Sequence, residues 1–244
     1  IEEPYISQGL PEYEVLARRG FLGRQAPDDP TPCPITDSNW WGVGGILDPT
    51  HAEGRAFWHA WRRQPLVDMG LTGHWIDLGE PECYRHMQAD GQFSTPFYQA
   101  GPHAQVHNLY ARHWAQGIWE GYARHGVERR PFLLSRSGAP GIQRFGVAMW
   151  SGDIATTEES LAEHFNAQVH LGLSGIDYFG SDVGGFFREE FAGTPEELDW
   201  LYTRWFAAAC AVDVPIRPHA FNLENRHRTS PDRIGHLDSN RENL

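Results

Sequence analysis

The chain has 244 residues, enough for one large domain with a sizeable core, and its 40% hydrophobic and 21% charged content is ordinary for a globular protein. A formal net charge of −12 with no basic stripe argues against a nucleic-acid partner. No apolar run approaches the roughly 20 residues that span a bilayer, so no membrane partner is expected. Cys33, Cys83 and Cys210 are scattered and form no CxxC pair, which implies neither a disulfide framework nor a zinc knuckle. Reduced thiols lean towards the cytoplasm, with the compartment left open. The chain opens on Ile1-Glu2-Glu3-Pro4 and closes on Glu242-Asn243-Leu244, and both ends read as cut from something longer.

In chain order, Ile1 to Ile6 reads as a short strand end. Residues 7–47 read as a long Gly- and Pro-rich insertion on the active-site side. Asp48-Pro49 caps a helix carrying Phe57, Trp58 and Trp61. Thr72 to Asp77 is the next strand. Val106, Tyr110, Trp114, Ile118 and Tyr122 recur every fourth residue, an amphipathic helix. Phe132 to Leu134 and Gly146 to Trp150 are two more strands. Thr156 and Glu159 form a capping box for a helix bearing Leu161, Phe165 and Val169. Leu173 to Phe179 reads as a strand. Thr194-Pro195-Glu196-Glu197 starts a helix with Leu198, Leu201, Trp205 and Ala209 on its buried face, and Val212 to Ile216 is the last strand.

Strands alternating with helices indicate a parallel α/β architecture. Six strand candidates fall short of the eight that close a (β/α)8 barrel. The expectation is a partial (β/α)8 TIM-barrel catalytic domain over 1–244, lacking its first strands and last helix. The alternative is an open doubly wound sheet, but the chain has no GxGxxG after a strand and no phosphate loop.

Acids at the ends of parallel strands converge on one mouth. Asp77 ends the Trp75-Ile76 run and enters a loop turned by Gly79 and Pro81. It reads either as a nucleophile for an anomeric carbon or as a turn or helix cap. Asp153 follows Trp150-Ser151-Gly152 and reads as a second catalytic acid or as a helix cap ahead of Thr156. A retaining glycosidase sets its two carboxylates about 5–5.5 Å apart and an inverting one about 6.5–9.5 Å. Asp182, between Ser181 and two glycines, either contacts substrate or bonds loop amides. Glu80 is placed to orient Asp77 or another loop group. Arg136 offers a planar fork for sugar hydroxyls or a carboxylate. His219 is a hydroxyl donor or a structural histidine. A few of the ten tryptophans are expected to lie exposed as platforms for sugar rings. His103, His107 and His113 lie near one helix, but with no HExxH they read as a solvated face rather than a metal site. Gly172-Leu173-Ser174-Gly175 lacks the nucleophile-elbow pattern.

With these motifs the chain resembles the catalytic barrel of glycoside hydrolase family 31, the α-glucosidase and α-xylosidase family. The resemblance runs from Glu3-Pro4-Tyr5-Ile6 to Arg217-Pro218-His219. Its strongest blocks are WIDLGEPE (75–82), RSGAPGIQRFGVAMWSGD (136–153) and LGLSGIDYFGSDVGGF (171–186). It implies that Asp77 is the nucleophile and Asp153 the general acid/base. It further implies that Arg136, Trp150 and His219 hold the sugar and that Trp40, Trp75 and Phe186 line the pocket. No metal or cofactor is implied. Gly79 stands where many members have Asn, and the stretch from Arg136 to Asp153 is one residue longer than the usual pattern. Early barrel strands and flanking β-sandwich domains are implied for a full-length protein. The function expected is a retaining hydrolase of terminal α-linked sugars, α-glucosidase first, acting on an oligosaccharide or α-glycoside. Its two carboxyl pKa values must be held apart, which gives a bell-shaped pH–rate profile. Transglycosylase, α-glucan lyase, α-xylosidase and sulfoquinovosidase activities share that site. A non-catalytic carbohydrate-binding fragment is the rival from another class.

Overall fold

The computed structural model describes residues 2–37, 42–81, 96–187 and 191–218. The chain divides into two compact units, the first up to Val147 and the second from Ala148 onward.

In the first unit β1 (Tyr5–Ser7), α1 (Pro11–Arg18), β2 (Arg24–Ala26), β3 (Asp29–Pro32), β4 (Ile35–Asp37) and β5 (Gly42–Ile46) follow in order. β5 pairs antiparallel with β1 and β4. The stretch 7–47, expected as a long insertion, carries these short elements among its described residues. Its apolar residues explain why: Leu16, Phe21 and Leu22 bury with Ile6, and Tyr13, Phe57 and Trp58 pack against them.

α2 (Ala52–Trp58) begins later than Asp48-Pro49 predicts. His51 is its cap, Nδ1 accepting from Gly54 N at 3.2 Å. Asp48 instead accepts from Thr50 N (2.9 Å), Thr50 Oγ1 (2.6 Å) and Gln99 N (2.7 Å), so its oxygens are spent on a turn and a distant loop. A π-turn (His59–Arg63) and α3 (Gln64–Asp68) continue the helix.

β6 (Gly73–Ile76), the short strands β7 (Phe97–Tyr98) and β8 (Gly101–Pro102), α4 (His103–Val106), α5 (Tyr110–Arg124) and β9 (Phe132–Ser135) complete the first unit's main elements. β6 and β9 are parallel, in register from Gly73↔Phe132 to Ile76↔Ser135. Parallel neighbours need a crossover, and α5 supplies it. Its expected face, Tyr110, Trp114, Ile118 and Tyr122, is buried. Glu2 bridges Ile76 on the other side of β6. Its carboxylate accepts from Arg63 Nε (2.6 Å) and Trp114 Nε1 (3.1 Å) and meets His74 Nδ1 (3.1 Å). Burial alone would push the Glu2 carboxyl up; the Arg63 charge and the His74 contact more than offset this and hold it at about 2.

The second unit contains all but the first residue of β10 (Val147–Trp150), then α6 (Glu158–Leu173), β11 (Phe179–Gly180), β12 (Asp182–Val183), α7 (Pro195–Val212) and β13 (Arg217–Pro218). β10 runs parallel to β11, and β12 to β13. Leu161, Val183, Leu201, Tyr202, Trp205 and Ala209 form its core. The α7 capping box of Thr194 and Glu197 forms as expected. The α6 cap is Thr157, accepting from Ser160 N at 3.1 Å, one residue beyond the expected Thr156. On α6 Leu161 is buried, but Phe165 and Val169 are 39% and 62% exposed. Of the expected strand at 173–179 only Phe179 is strand, in β11, and Leu173 belongs to α6; the expected strand at 212–216 does not form, Val212 belonging to α7 and β13 starting at Arg217.

Glu2 should make acid stability diagnostic. A depressed carboxyl stabilises fully above its unfolded value of 4.5 and loses that stabilisation as pH falls towards about 2. Glu2→Gln should therefore cost on the order of 3 kcal/mol at neutral pH. Urea unfolding from pH 7 to 2 should show the gap to wild type closing below pH 4.5; a gap independent of pH would contradict this account.

Candidate active site

The register of β6 and β9 decides what stands beside Asp77. Ile76 and Ser135 are paired, so the next residues, Asp77 and Arg136, leave the sheet side by side. Asp77 N donates to Glu2 O at 3.0 Å, and Arg136 N to Ile76 O at 3.2 Å, which anchors both backbones. The Asp77 carboxylate accepts from Leu78 N at 3.0 Å. Leu78 has φ 56°, a left-handed conformation uncommon outside glycine that costs about 1–2 kcal/mol.

Arg136 Nε lies 3.6 Å from Asp77 Oδ1. The Arg136 fork itself closes on Glu80, with Nε to Oε1 at 2.9 Å and Nη2 to Oε2 at 3.0 Å. Glu80 therefore orients Arg136: of the two partners expected for its fork, sugar hydroxyls or a carboxylate, the Nε–Nη2 edge takes the carboxylate. Glu3 is a further acid in this neighbourhood, its carboxyl raised by burial and then by the charge of Asp77. Trp75 is half-buried on β6. Gly79 fits tightly: a Cβ there would stand 3.0 Å from Ser137 Oγ and 3.2 Å from Ala111 Cβ.

The expected solvated histidine face is in part interior. His103 is 3% exposed, and burial, then the nearby His107, pulls it down to about 4. Its Nδ1 meets Tyr98 Oη at 3.2 Å and its Nε2 meets His107 Nδ1 at 3.3 Å. Burial also lowers His107, against the opposing charge of Glu80.

In the second unit Ser151 N donates to Gly180 O at 3.1 Å, tying the end of β10 to β11. The loop that follows exposes Asp153. Thr157 supplies the cap of α6, so the capping alternative for Asp153 falls away. Phe186 N and Phe187 N both donate to Ile154 O, at 2.8 and 3.2 Å, which fixes the Asp153 loop against the Phe186 loop. Gly185, at φ 81°, permits that approach, because a Cβ there would strike Thr156 and the Ala155 carbonyl.

Trp150, which the resemblance implies holds the sugar, is only 2% exposed; the Arg217 guanidinium lies 4.7 Å from its ring. Arg217 Nη2 also pairs with Asp182 Oδ1 at 3.2 Å, across the β12–β13 register. Asp182, at 3% exposure, is thus engaged with a neighbouring strand, which favours the structural alternative for it. Sequence reading passed over Arg217, although its position two residues before His219 marked it. Asp213 was passed over as well, and nothing local marks it. It accepts from His164 Nε2 (2.7 Å), Gln168 Nε2 (3.0 Å), Ser181 N (3.0 Å) and Ser181 Oγ (3.0 Å), and so holds the residue before Asp182. Trp40 and His219 lie outside the described residues.

The family model described as "Glycosyl hydrolases family 31 TIM-barrel domain" matches residues 1–242. The chain belongs to glycoside hydrolase family 31. It is 36% identical over 176 residues to an uncharacterized family 31 glucosidase of Pseudescherichia vulneris, covering 72% of this chain and 32% of that protein. It is 31% identical over 188 residues to alpha-glucosidase 2 of Bacillus thermoamyloliquefaciens, covering 71% and 22%. Its fold matches the Flavobacterium johnsoniae GH31 dextranase complexed with glucose at a TM-score of 0.75 and 23% identity, covering 89% of this chain and 27% of that one. This family 31 chain therefore has the α/β fold class of a TIM-barrel domain, and it spans a third or less of those relatives' length.

Asp213→Ala should cost about 3–5 kcal/mol, because it strands buried donors on His164 and Ser181. Asp213→Asn, which keeps an acceptor, should cost less. Chemical denaturation followed by tryptophan fluorescence measures both; equal, small losses would show that the carboxylate is not the hub.

Proposed function

We propose that this chain carries the catalytic centre of a retaining α-glycosidase, an α-glucosidase in specificity, with Asp77 as nucleophile and Asp153 as general acid/base. The observation that carries the reading is Asp77 at a parallel strand end in a family 31 chain, beside a guanidinium already clamped by Glu80. The glucosidase names of the relatives support the sugar class.

In the first step an oxygen of the ionised Asp77 carboxylate attacks the anomeric carbon. The glycosidic bond breaks and Asp153 gives its proton to the departing oxygen. The product is a glycosyl ester of Asp77. In the second step Asp153, now a carboxylate, takes a proton from water as that water attacks the anomeric carbon and frees Asp77. Arg136 carries its positive charge beside the Asp77 carboxylate, Nε to Oδ1 at 3.6 Å. Because Glu80 takes its fork, Arg136 acts from 3.6 Å and does not tie up the attacking carboxylate in a bidentate pair.

Aryl α-glycosides of graded leaving-group ability test these roles. Asp77→Ala should lower kcat by at least about 10⁴-fold on all of them. Asp153→Ala should lower kcat/KM by about 10²–10⁴-fold on a poor leaving group and far less on an activated one. Full activity of Asp153→Ala on a poor leaving group removes it as the acid. Comparing glucoside, xyloside and sulfoquinovoside settles the sugar, and turnover of none would favour a binding role.

Glu80→Ala should release Arg136 and lower kcat/KM by about 10-fold or more without loss of fold. Unchanged kinetics on the glucoside would show that the clamp does not serve the reaction.

A further inference from the structure

Trp119 is 38% exposed, on the face of α5 opposite its buried residues. It forms a shared wall of two open concavities in the first unit. One, of about 430 Å³, is lined by Arg112, Arg144 and Phe145. The other, of about 200 Å³, is lined by Arg129 and Arg130, with Glu128 beside them.

The charges here are the informative part. The chain has 32 acidic against 20 basic residues, so a surface arginine has acids in excess with which to pair. Arg55 does so with Glu120, and Gln116 Nε2 donates to the same Glu120 at 2.6 Å. That fixes the floor of the larger concavity and cancels the charge of Glu120. Arg112 and Arg144 are different: among the described residues neither has a carboxylate within ion-pair distance. Both rest on the Phe145 ring, at 5.8 and 5.4 Å. Arg129 and Arg130 likewise have no described ion pair. Two pairs of guanidiniums without an ion pair among the described residues therefore flank one exposed indole on a chain of net charge −12.

We propose that Trp119 is the centre of an accessory binding site for an acidic oligosaccharide, separate from the Asp77 centre. The indole offers a flat apolar surface to a pyranose ring, and the concavities on either side have room for the rings before and after it. Planar guanidinium forks suit the sulfate, phosphate or carboxylate groups that such a chain carries. The choice of a saccharide rests on the glycosidase reading; the anionic character rests on these arginines alone.

The test is calorimetric binding to the Asp77→Asn chain, which keeps turnover from consuming the probe. The probes are sulfated maltohexaose, neutral maltohexaose, AMP and polyglutamate. Sulfated maltohexaose should bind best and weaken with added salt. Trp119→Ala, and separately Arg112→Ala with Arg144→Ala, should each weaken it by about tenfold or more. In the chain with Asp77 intact, Trp119→Ala should leave turnover of a simple aryl α-glucoside unchanged, which separates this site from the catalytic one. Equal binding of the neutral sugar, an unaffected Trp119→Ala, or tighter binding of AMP or polyglutamate would each overturn the proposal. Failure of aryl-glycoside turnover with Trp119-dependent binding intact would instead remove the glycosidase reading and leave the site standing.

Discussion

A carboxylate drawn out of water is tolerable only when donors converge on it, and each unit of this chain holds one that meets this condition. In the first unit it is Glu2, reached by Arg63, His74 and Trp114. In the second it is Asp213, reached by His164, Gln168 and both donors of Ser181. Neither is proposed to touch substrate. Each residue ties down a strand end of its own unit. The Glu2 backbone brackets Trp75 and Asp77, and Asp213 holds Ser181 immediately before Asp182.

The arrangement around Asp77 follows from sheet register and from competition for one guanidinium. Register places Arg136 beside Asp77 without any contribution from the side chains. Left alone, an arginine and an aspartate at that spacing would close into a bidentate pair and occupy both carboxylate oxygens. Glu80 prevents this by taking the fork. A positive charge stays close while the aspartate is left out of a bidentate pair. That division of labour needs two carboxylates for one arginine.

The parts legible from sequence were those decided by neighbours in the chain. The Thr194 capping box and the Tyr110–Tyr122 stripe are local patterns, and both formed. Short apolar runs at the end of a helix were misread. The runs starting at Leu173 and Val212 have no period long enough to separate strand from helix, and the helices took both residues. The exposure of Trp150 was unreadable because its cover, Arg217, arrives from 67 residues later. The roles of Glu2 and Asp213 were hidden for the same reason. A carboxylate whose donors lie 61 to 112 residues away in the first unit, and 32 to 49 away in the second, leaves no local signature. Asp77 and Asp153 stood out because strand ends and glycine-marked loops announce themselves in a single stretch.

Leu78 carries a wider consequence. Its left-handed backbone is one that leucine disfavours, so the turn after Asp77 is not encoded by the residues that make it. The buried Leu78 side chain, the Glu2 bridge and the tight seat of Gly79 against Ser137 and Ala111 impose it from outside. Such a turn is not portable. Transplanted into another scaffold, the residues from Trp75 to Pro81 would relax to an ordinary right-handed or extended turn and point the aspartate elsewhere. The orientation of that carboxylate belongs to the unit that surrounds it rather than to the motif that spells it.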